Sequence, residues 1–402
     1  MSNTELQVEE SQASESKYFR LDIQGLRALA VILVILAHAK VSHFAGGYIG
    51  VDVFFVISGF VITGLLLRQS ANNVIANLGK FYARRIRRIM PAATLVVIGT
   101  LIASFYWIGP FSSQPLLSDV RWASLFSANF HFITVGTDYF SQSLPPSLIL
   151  HYWSLAVEEQ FYFVFPLILF TTAAVFGLRR HRAILSALLA AIVASSAVWS
   201  AVQTAHNPVA AYYSPFTRFW ELGVGALLAA LPTTWVLKNK YVVLVGQWVS
   251  LVLIFGTSIK LTDTSAVPGV LTWWAVAPAG FLLWTGGSTS LALPSGWFSK
   301  QPLRYIGDIS YSLYLFHFAW LNIPVQYVLL KYGQVTNLSA ISRIEQIAGA
   351  LICAVLSYHF FENPIRRSKA LDRHSWLTAL LGAGLIGLVW LTALIVQKNW
   401  TL

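Results

Sequence analysis

The chain has little charge and a single cysteine. Only 11% of its 402 residues are charged, whereas 56% are hydrophobic and the mean hydropathy is +0.64. An ordinary soluble domain has about a quarter of its residues charged, so that class is excluded. Cys353 is the only cysteine, which excludes an internal disulfide and leaves the redox compartment undetermined. The composition is typical of a polytopic membrane protein.

Long apolar runs recur along the chain. A run of roughly 20 apolar residues crosses a ~30 Å hydrocarbon core. Eleven segments fit: 22–40, 49–67, 90–109, 151–176, 183–203, 217–232, 241–260, 267–286, 306–330, 342–361 and 376–397. The sequence therefore predicts an all-α fold of about eleven transmembrane helices. The stretch 121–135 is short and polar, and we expect a re-entrant or interfacial piece of the outer segment 110–150.

The basic residues are distributed asymmetrically about these segments. With a cytosolic N-terminus, 19 of the 27 Lys and Arg fall in cytosolic segments. This positive-inside bias predicts an extracytoplasmic C-terminus, and it explains the net charge of +11 without a nucleic-acid partner. We expect 1–19 to be a disordered cytosolic tail, 20–397 the membrane domain and 398–402 an extracytoplasmic stub. A signal peptide cleaved near "AHA" at 37–39 is the alternative for the first segment.

The first apolar segment, "RLDIQGLRALAVILVILAHA", contains Arg27 and His38. The two side chains are eleven residues apart, so on a helix they differ by about 20° in direction and lie about 16 Å apart. They therefore share one face and mark its two ends. The alternative is that Arg27 snorkels to the inner headgroups and His38 lies in the outer interface.

The fourth segment opens with "HYWSLAVEEQFY", which places Glu158 and Glu159 well inside a helix. His151 and Glu158 lie on nearly the same face, whereas Glu159 points about 80° away. Two intramembrane carboxylates favour a functional site. The alternative is that one of them is protonated, or is paired with a neighbour such as Arg218, and only ties helices together.

Other ionisable residues have structural alternatives of similar weight. The cluster Arg84, Arg85, Arg87 and Arg88 either sets topology and binds anionic lipid, or binds a phosphate-rich ligand from the cytosol. His317 is either a relay or a hydrogen-bonded core residue. We expect Arg218 and Glu221 to form a structural pair, and Asp52 to anchor the outer end of the second segment.

Six stretches occur together in one order between about residues 20 and 365. They are "RLDIQGLRALAVILVILAH", "GGYIGVDVFFVISGF", "FYARRIRRIMP", "HYWSLAVEEQFYFVFP", "RFWELGVGALLA" and "YIGDISYSLYLFHF". In this succession the chain resembles the membrane-embedded acyltransferase family three, the O-acyltransferases of bacterial cell-surface glycans. The resemblance implies transfer of an acyl group, usually acetyl, from cytosolic acyl-CoA to a sugar hydroxyl across the bacterial cytoplasmic membrane.

The resemblance also assigns roles to residues. The basic-residue and histidine motif falls on Arg27 and His38, and the Arg-x-x-Arg motif on Arg85 and Arg88, with Arg84 and Arg87 an equally spaced alternative. The catalytic candidates are then His38, Glu158 and Glu159, and the acyl-CoA-binding candidates are Arg27, Arg84, Arg85 and Arg88. Supporting residues from the matching stretches are Asp52, Ser58, Trp153, Ser154, Tyr311 and His317.

The expected mechanism places acyl-CoA phosphates on the arginines and the acyl transfer at His38. This histidine acts either as general base or as acyl carrier, and Glu158 orients its imidazole if the two helices touch. We expect no metal, because the sequence has no HExxH and no Cys/His ligand spacing. The acceptor is expected to be O-antigen, another envelope glycan or a glycolipid.

Two other classes of function stay open at this point. A secondary transporter or flippase would use Arg27, Glu158 and His317 as a path. A catalytically silent subunit would present ligand to a partner. Many relatives fuse an extracytoplasmic SGNH hydrolase-like domain after an eleventh span, so 376–397 is either a linker helix of a truncated chain or the last span of a membrane-only member.

Overall fold

The computed structural model describes residues 20–399, except 69–73, 141–145, 233–234, 236, 238 and 334–338. Its described residues contain helices and no strand, which confirms the predicted all-α class. The predicted tail 1–19 and residues 400–402 of the predicted stub lie outside the described residues. The last helix extends to Asn399, so the described part of that stub is helical.

The helices follow one another through short connections. The first half of the chain forms α1 Leu21–His38, α2 Gly50–Leu67, α3 Val74–Trp107, α4 Pro110–Ser124, α5 Ala128–Thr134 and α6 Tyr152–His206. The second half forms α7 Pro208–Tyr213, α8 Phe219–Ala230, α9 Lys240–Lys260, α10 Trp273–Thr285, α11 Pro294–Phe298, α12 Leu303–Tyr332, α13 Ala340–Ser357, α14 Asn363–Arg366, α15 Lys369–Arg373 and α16 Ser375–Asn399. The long α6 is broken at Gly177, which has a φ of 68°.

The eleven predicted segments all coincide with helices. Nine helical stretches of the described chain are long and apolar enough to cross a bilayer, and α6 supplies two of them on either side of its break. The segments 217–232 and 267–286 coincide with shorter apolar helices, Phe219–Ala230 and Val270–Thr285. The stretch 121–135 divides between α4 and α5, as expected for a piece that does not span. The chain is a polytopic membrane protein.

Helix α1 lies in the centre of the bundle. It packs against α12 and α2, and most of its apolar side chains are buried, with Ala28, Val31 and Leu33 fully enclosed. A cleavable signal peptide would not supply the central element of the core, so this packing argues against that alternative. The central position of α1 also brings Arg27 and His38 into contact with other helices rather than with lipid.

Helix α3 begins well before the apolar segment predicted at 90–109. It starts at Val74 and continues to Trp107 through Pro91, so the four clustered arginines lie on its first half rather than on a loop. Because they lie on one helix, the four arginine side chains point in different directions. Arg85 and Arg88 turn into the bundle, whereas Arg87 forms an ion pair with the largely exposed Asp372.

Helices α2 and α8 cross at glycines on both sides. A Cβ on Gly59 would lie 1.8 Å from the carbonyl oxygen of Leu222, and a Cβ on Gly225 would lie 1.9 Å from that of Val56. No side chain fits at either distance, so only glycine permits this contact. The close crossing fixes α2 against α8 and thereby aligns the acidic end of α2 with the start of α8.

We predict that Gly59→Ala lowers the thermal stability of the detergent-purified protein. Its methyl group must push two backbones apart, and overpacking of this kind costs about 1–3 kcal/mol. The matched control is Gly64→Ala on the same helix, where a Cβ would meet nothing within 4 Å. This control should unfold at the wild-type temperature or slightly above, because alanine favours helix. Equal unfolding temperatures for the two variants would contradict the close crossing.

Candidate functional site

A cavity of about 220 Å³ opens among α1, α2, α3, α6 and α12. It extends from the N-terminal end of α1 towards the middle of the bundle. We call the part lined by Arg27, Arg85 and Arg88 the mouth of the cavity, and the part lined by Ser154 and Tyr314 its inner end. The polar groups that line it are Gln24, Arg27, Ser58, Arg85, Arg88, Ser154, Glu158, Tyr162, Ser310, Tyr311 and Tyr314.

Three arginines line this cavity, and they differ in their partners. Arg85 forms an ion pair of 2.7 Å with Glu159 and lies over the ring of Tyr162, 3.9 Å from its centroid. Among the described residues, Arg27 and Arg88 form no salt bridge, and the Nε atom of Arg88 is buried without a hydrogen-bond partner. An unpaired guanidinium group in such a place is costly, so the cavity fits an anionic ligand.

The structure distinguishes between the two registers of the Arg-x-x-Arg motif. Arg85 and Arg88 line the cavity, whereas Arg84 and Arg87 do not. The Glu159 carboxylate, predicted as catalytic, lies on Arg85 instead and holds that guanidinium in the cavity wall. It is paired with an arginine as the structural alternative supposed, but with Arg85 and not with Arg218.

Glu158 lies in the wall of the same cavity. Its Oε1 accepts a hydrogen bond of 2.6 Å from the Ser58 hydroxyl and another from the Tyr162 hydroxyl. The carboxylate also attracts Arg27 electrostatically. Glu158 therefore supplies negative charge halfway along the cavity, between the arginines and the inner end.

The inner end of the cavity is closed by two hydroxyl groups. The Ser154 and Tyr314 hydroxyl oxygens are 2.6 Å apart, and each lies 3.1 Å from the His151 carbonyl oxygen. Tyr311 also lines the cavity and donates to the Ile89 carbonyl over 2.7 Å. One helical turn beyond Tyr314, His317 begins a second polar cluster.

His38 and His317 form a hydrogen-bonded pair beyond the cavity. His38 Nδ1 lies 2.8 Å from His317 Nε2, and the two rings stack with centroids 5.1 Å apart. His317 Nδ1 lies 2.6 Å from the Tyr314 carbonyl oxygen. A carbonyl only accepts, so His317 Nδ1 carries its proton and a neutral His317 presents Nε2 as acceptor. His38 Nδ1 must then be the donor.

This chain of bonds fixes which nitrogen of His38 is basic. A neutral His38 that donates through Nδ1 has its lone pair on Nε2. The hydroxyl of Tyr139 lies 2.6 Å from that Nε2 and donates to it. Burial raises the pKa of Tyr139, so this phenol stays protonated. The site therefore holds a hydroxyl group on the lone pair of an imidazole, which is the geometry of general-base catalysis.

The position of Glu158 corrects one expectation. The ring nitrogens of His38 are both occupied, by His317 and by Tyr139. Glu158 instead bonds Ser58 and Tyr162 inside the cavity. The hypothesis that Glu158 orients the His38 imidazole is therefore wrong, and His317, left between a relay and a core role, takes that place.

Asp52 does more than anchor the end of its helix. It is 2% exposed and its Oδ1 accepts a bond of 2.8 Å from Arg218, which also binds the fully buried Glu221 over 3.1 Å. The Arg218 guanidinium lies over the rings of Trp153 and Tyr212, and Tyr212 stacks on Tyr139. The predicted Arg218–Glu221 pair is confirmed, and through Tyr212 it supports the hydroxyl that binds His38.

Sequence reasoning missed Tyr139, Tyr212, Tyr162 and Tyr314. Tyr162 has a spacing signal, because it lies one turn after Glu158 on α6. The other three have none, because each meets its partner from a different helix or from the connection before α6. No group of three or more His, Cys, Asp or Glu in the described part of the chain has a metal-binding arrangement. The histidine pair is instead internally bonded.

These features define a membrane-embedded protein with an arginine-lined cavity that leads towards a hydrogen-bonded pair of histidines. Comparison of the sequence with those of known proteins gives its family. A family model described as an acyltransferase domain matches residues 20–362, which is most of the chain. The chain therefore belongs to the acyltransferase family three. No solved structure matches it.

Curated relatives are similar along most of this chain. The peptidoglycan O-acetyltransferase OatA of Listeria monocytogenes is 32% identical over 363 residues, covering 88% of this chain and 57% of the relative. A putative peptidoglycan O-acetyltransferase of Bacillus subtilis is 31% identical over 86% of this chain and 54% of its own length. A putative O-acetyltransferase of Staphylococcus aureus is 33% identical, covering 88% and 58%. The chain thus spans little more than half the length of these relatives.

We predict that the two acids on Arg218 respond differently to amide substitution. One guanidinium neutralises one carboxylate, and Arg218 is closer to Asp52, so the buried Glu221 is the protonated member. Asp52→Asn should lower the free energy of unfolding by up to about 3–5 kcal/mol, because the fully buried Glu221 must then lose its proton to balance the charge of Arg218. Glu221→Gln, which mimics the neutral acid, should cost less than about 1 kcal/mol.

Thermal unfolding of both variants in the same detergent measures this difference. Both substitutions replace a carboxyl group by an amide within one cluster, so each serves as the control for the other. If Glu221→Gln were as destabilising as Asp52→Asn, the assignment of the proton to Glu221 would be incorrect.

Proposed function

We propose that the protein is an O-acetyltransferase of the bacterial cytoplasmic membrane. It takes an acetyl group from acetyl-CoA on the cytosolic side and transfers it to a hydroxyl of a cell-envelope glycan on the other side. The observation that carries this proposal is the cavity with two arginines, Arg27 and Arg88, that form no salt bridge among the described residues and that lead towards His38. The names of the relatives favour peptidoglycan over O-antigen as the acceptor.

The basic mouth of the cavity suits the phosphates of coenzyme A. Guanidinium groups bind phosphate oxygens through paired N–H donors, and Arg27 and Arg88 have such donors to offer. The positive-inside distribution of Lys and Arg supports a cytosolic position for this mouth. The narrow inner part, between Glu158 and Tyr314, then takes the pantetheine arm with its thioester.

His38 acts on the acceptor as general base. The Tyr139 hydroxyl on Nε2 marks the position that an acceptor hydroxyl would take. Nε2 removes the hydroxyl proton as the oxygen attacks the thioester carbonyl carbon, and the carbon–sulfur bond breaks. The imidazolium then returns that proton to the thiolate of coenzyme A. His317 holds His38 in the required tautomer throughout, because the proton of His317 Nδ1 is donated to the Tyr314 carbonyl and Nε2 can only accept.

We predict that His38→Ala abolishes most acetyl transfer. Loss of a general base lowers a rate by about 10²–10⁴-fold. The measurement is acetyl mass on the surface glycan, together with release of free coenzyme A, in membranes with matched protein levels. His43→Ala is the control, because that histidine is exposed in the next connection, and it should retain activity within about twofold.

Three outcomes of this experiment are informative. Activity in wild type and loss in His38→Ala support the proposal. Full activity in His38→Ala overturns the assigned base but not the family. Wild-type membranes that move a glycan or a lipid without consuming acetyl-CoA would favour the transporter alternative.

We predict that Arg88→Ala raises the KM for acetyl-CoA by roughly 10–100-fold, as expected for the loss of a charge-assisted hydrogen bond to phosphate. The kcat should change less, because Arg88 lies far from His38. Arg84→Ala removes the same charge from the same helix but from outside the cavity, and its KM should stay at the wild-type value. A larger effect of Arg84→Ala would restore the other register of the motif.

A further inference from the structure

A π turn at Tyr358–Glu362 separates α13 from α14. Such turns are rare and frequently occur at functional sites. This turn sends Phe360 and Phe361 outwards, where they are 71% and 45% exposed, and sends Glu362 inwards, where it is only 2% exposed. The proposed acetyl transfer does not use the Glu362 carboxylate.

Glu362 is held next to the cavity by a neighbour of the cavity wall. Its Oε2 accepts a hydrogen bond of 3.0 Å from Ser312, which is fully buried on α12. Ser310 and Tyr311, directly before Ser312, line the cavity. Glu362 Oε1 lies 3.9 Å from Nη1 of Arg366, a distance that makes this ion pair weak.

The carboxylate also acts on the two arginines that have no salt bridge. The electrostatic attraction of Glu362 reaches both Arg88 and Arg27. The turn packs against α3, the helix that carries Arg88. Glu362 is therefore a buried carboxyl group that acts on the same arginines as the donor phosphates would.

We propose that Glu362 is an internal counter-ion of the donor site, which competes with the phosphates of coenzyme A for Arg27 and Arg88 and so sets how tightly the coenzyme is held. This inference rests on the proposed function. When the cavity is empty, Glu362 stabilises the arginines in their buried positions. When coenzyme A is bound, the same carboxylate repels its phosphates and favours release of the product.

The test is Glu362→Gln in the full chain, with coenzyme A as the probe. The substitution keeps the shape and the bond to Ser312 but removes the charge. We expect coenzyme A to bind roughly 10-fold tighter, since a like charge no longer faces its phosphates. The KM for acetyl-CoA and the kcat should both fall, because product release becomes slower.

Two variants separate charge from packing. Asp372→Asn removes a carboxylate from the partner of Arg87, near the same end of the bundle, yet outside the cavity. Its affinity for coenzyme A should stay within about twofold of wild type. Glu362→Asp keeps the charge and should retain wild-type affinity, and it serves if Glu362→Gln fails to fold.

The results separate this inference from the proposed function. If wild type binds no coenzyme A, the proposed function fails first. If wild type binds it and Glu362→Gln binds equally or more weakly, the counter-ion role is wrong. If Glu362→Asp matches Glu362→Gln in affinity, the residue acts by packing and not by charge, which also overturns the inference.

Discussion

A guanidinium group buried in a bilayer is tolerated only beside something that balances its charge, and this constraint organises the site. Arg218 meets it with Asp52 and with the faces of two aromatic rings. Arg85 meets it with Glu159. Arg27 and Arg88 form no salt bridge within the described protein and are balanced only through space, by carboxylates such as Glu158 and Glu362, and this difference marks the cavity as a place where a ligand anion belongs.

The helix packing converts that electrostatic arrangement into a defined geometry. Gly59 and Gly225 let α2 and α8 touch through their backbones, so that Asp52 reaches Arg218 without a flexible connection. The packing of α1 on α12 brings His38 to His317 in the same way. These two contacts position the stacked rings of Tyr212 and Tyr139 and the imidazole that Tyr139 binds.

The hydropathy and the helical periodicity of the sequence predicted the helices and the faces of their residues. Contacts between distant segments could not be predicted from it. Hydropathy located every long helix, and spacing put Arg27 and His38 on one face, because both properties are local. Hydropathy missed the start of α3 because the arginines interrupt the apolar run, although arginine is a good helix former. Tyr139 and the bond between Ser58 and Glu158 depend on tertiary packing, so no local pattern reports them. The same limit explains the error over Glu158, whose helix does reach the site but at a different depth from His38.

The fixed tautomers also restrict how a proton can move. The path from His38 through His317 ends at a backbone carbonyl, which holds no exchangeable site of its own. A proton taken up at Nε2 therefore leaves from Nε2, and the leaving sulfur has to come within reach of the nitrogen that activated the acceptor. The cavity ends at Tyr314 and Ser154, one helical turn short of that point. This hydroxyl pair therefore lies between the cavity and the histidine pair. In the proposed reaction, only the thin, uncharged end of the thioester has to pass it, while the phosphates stay with the arginines.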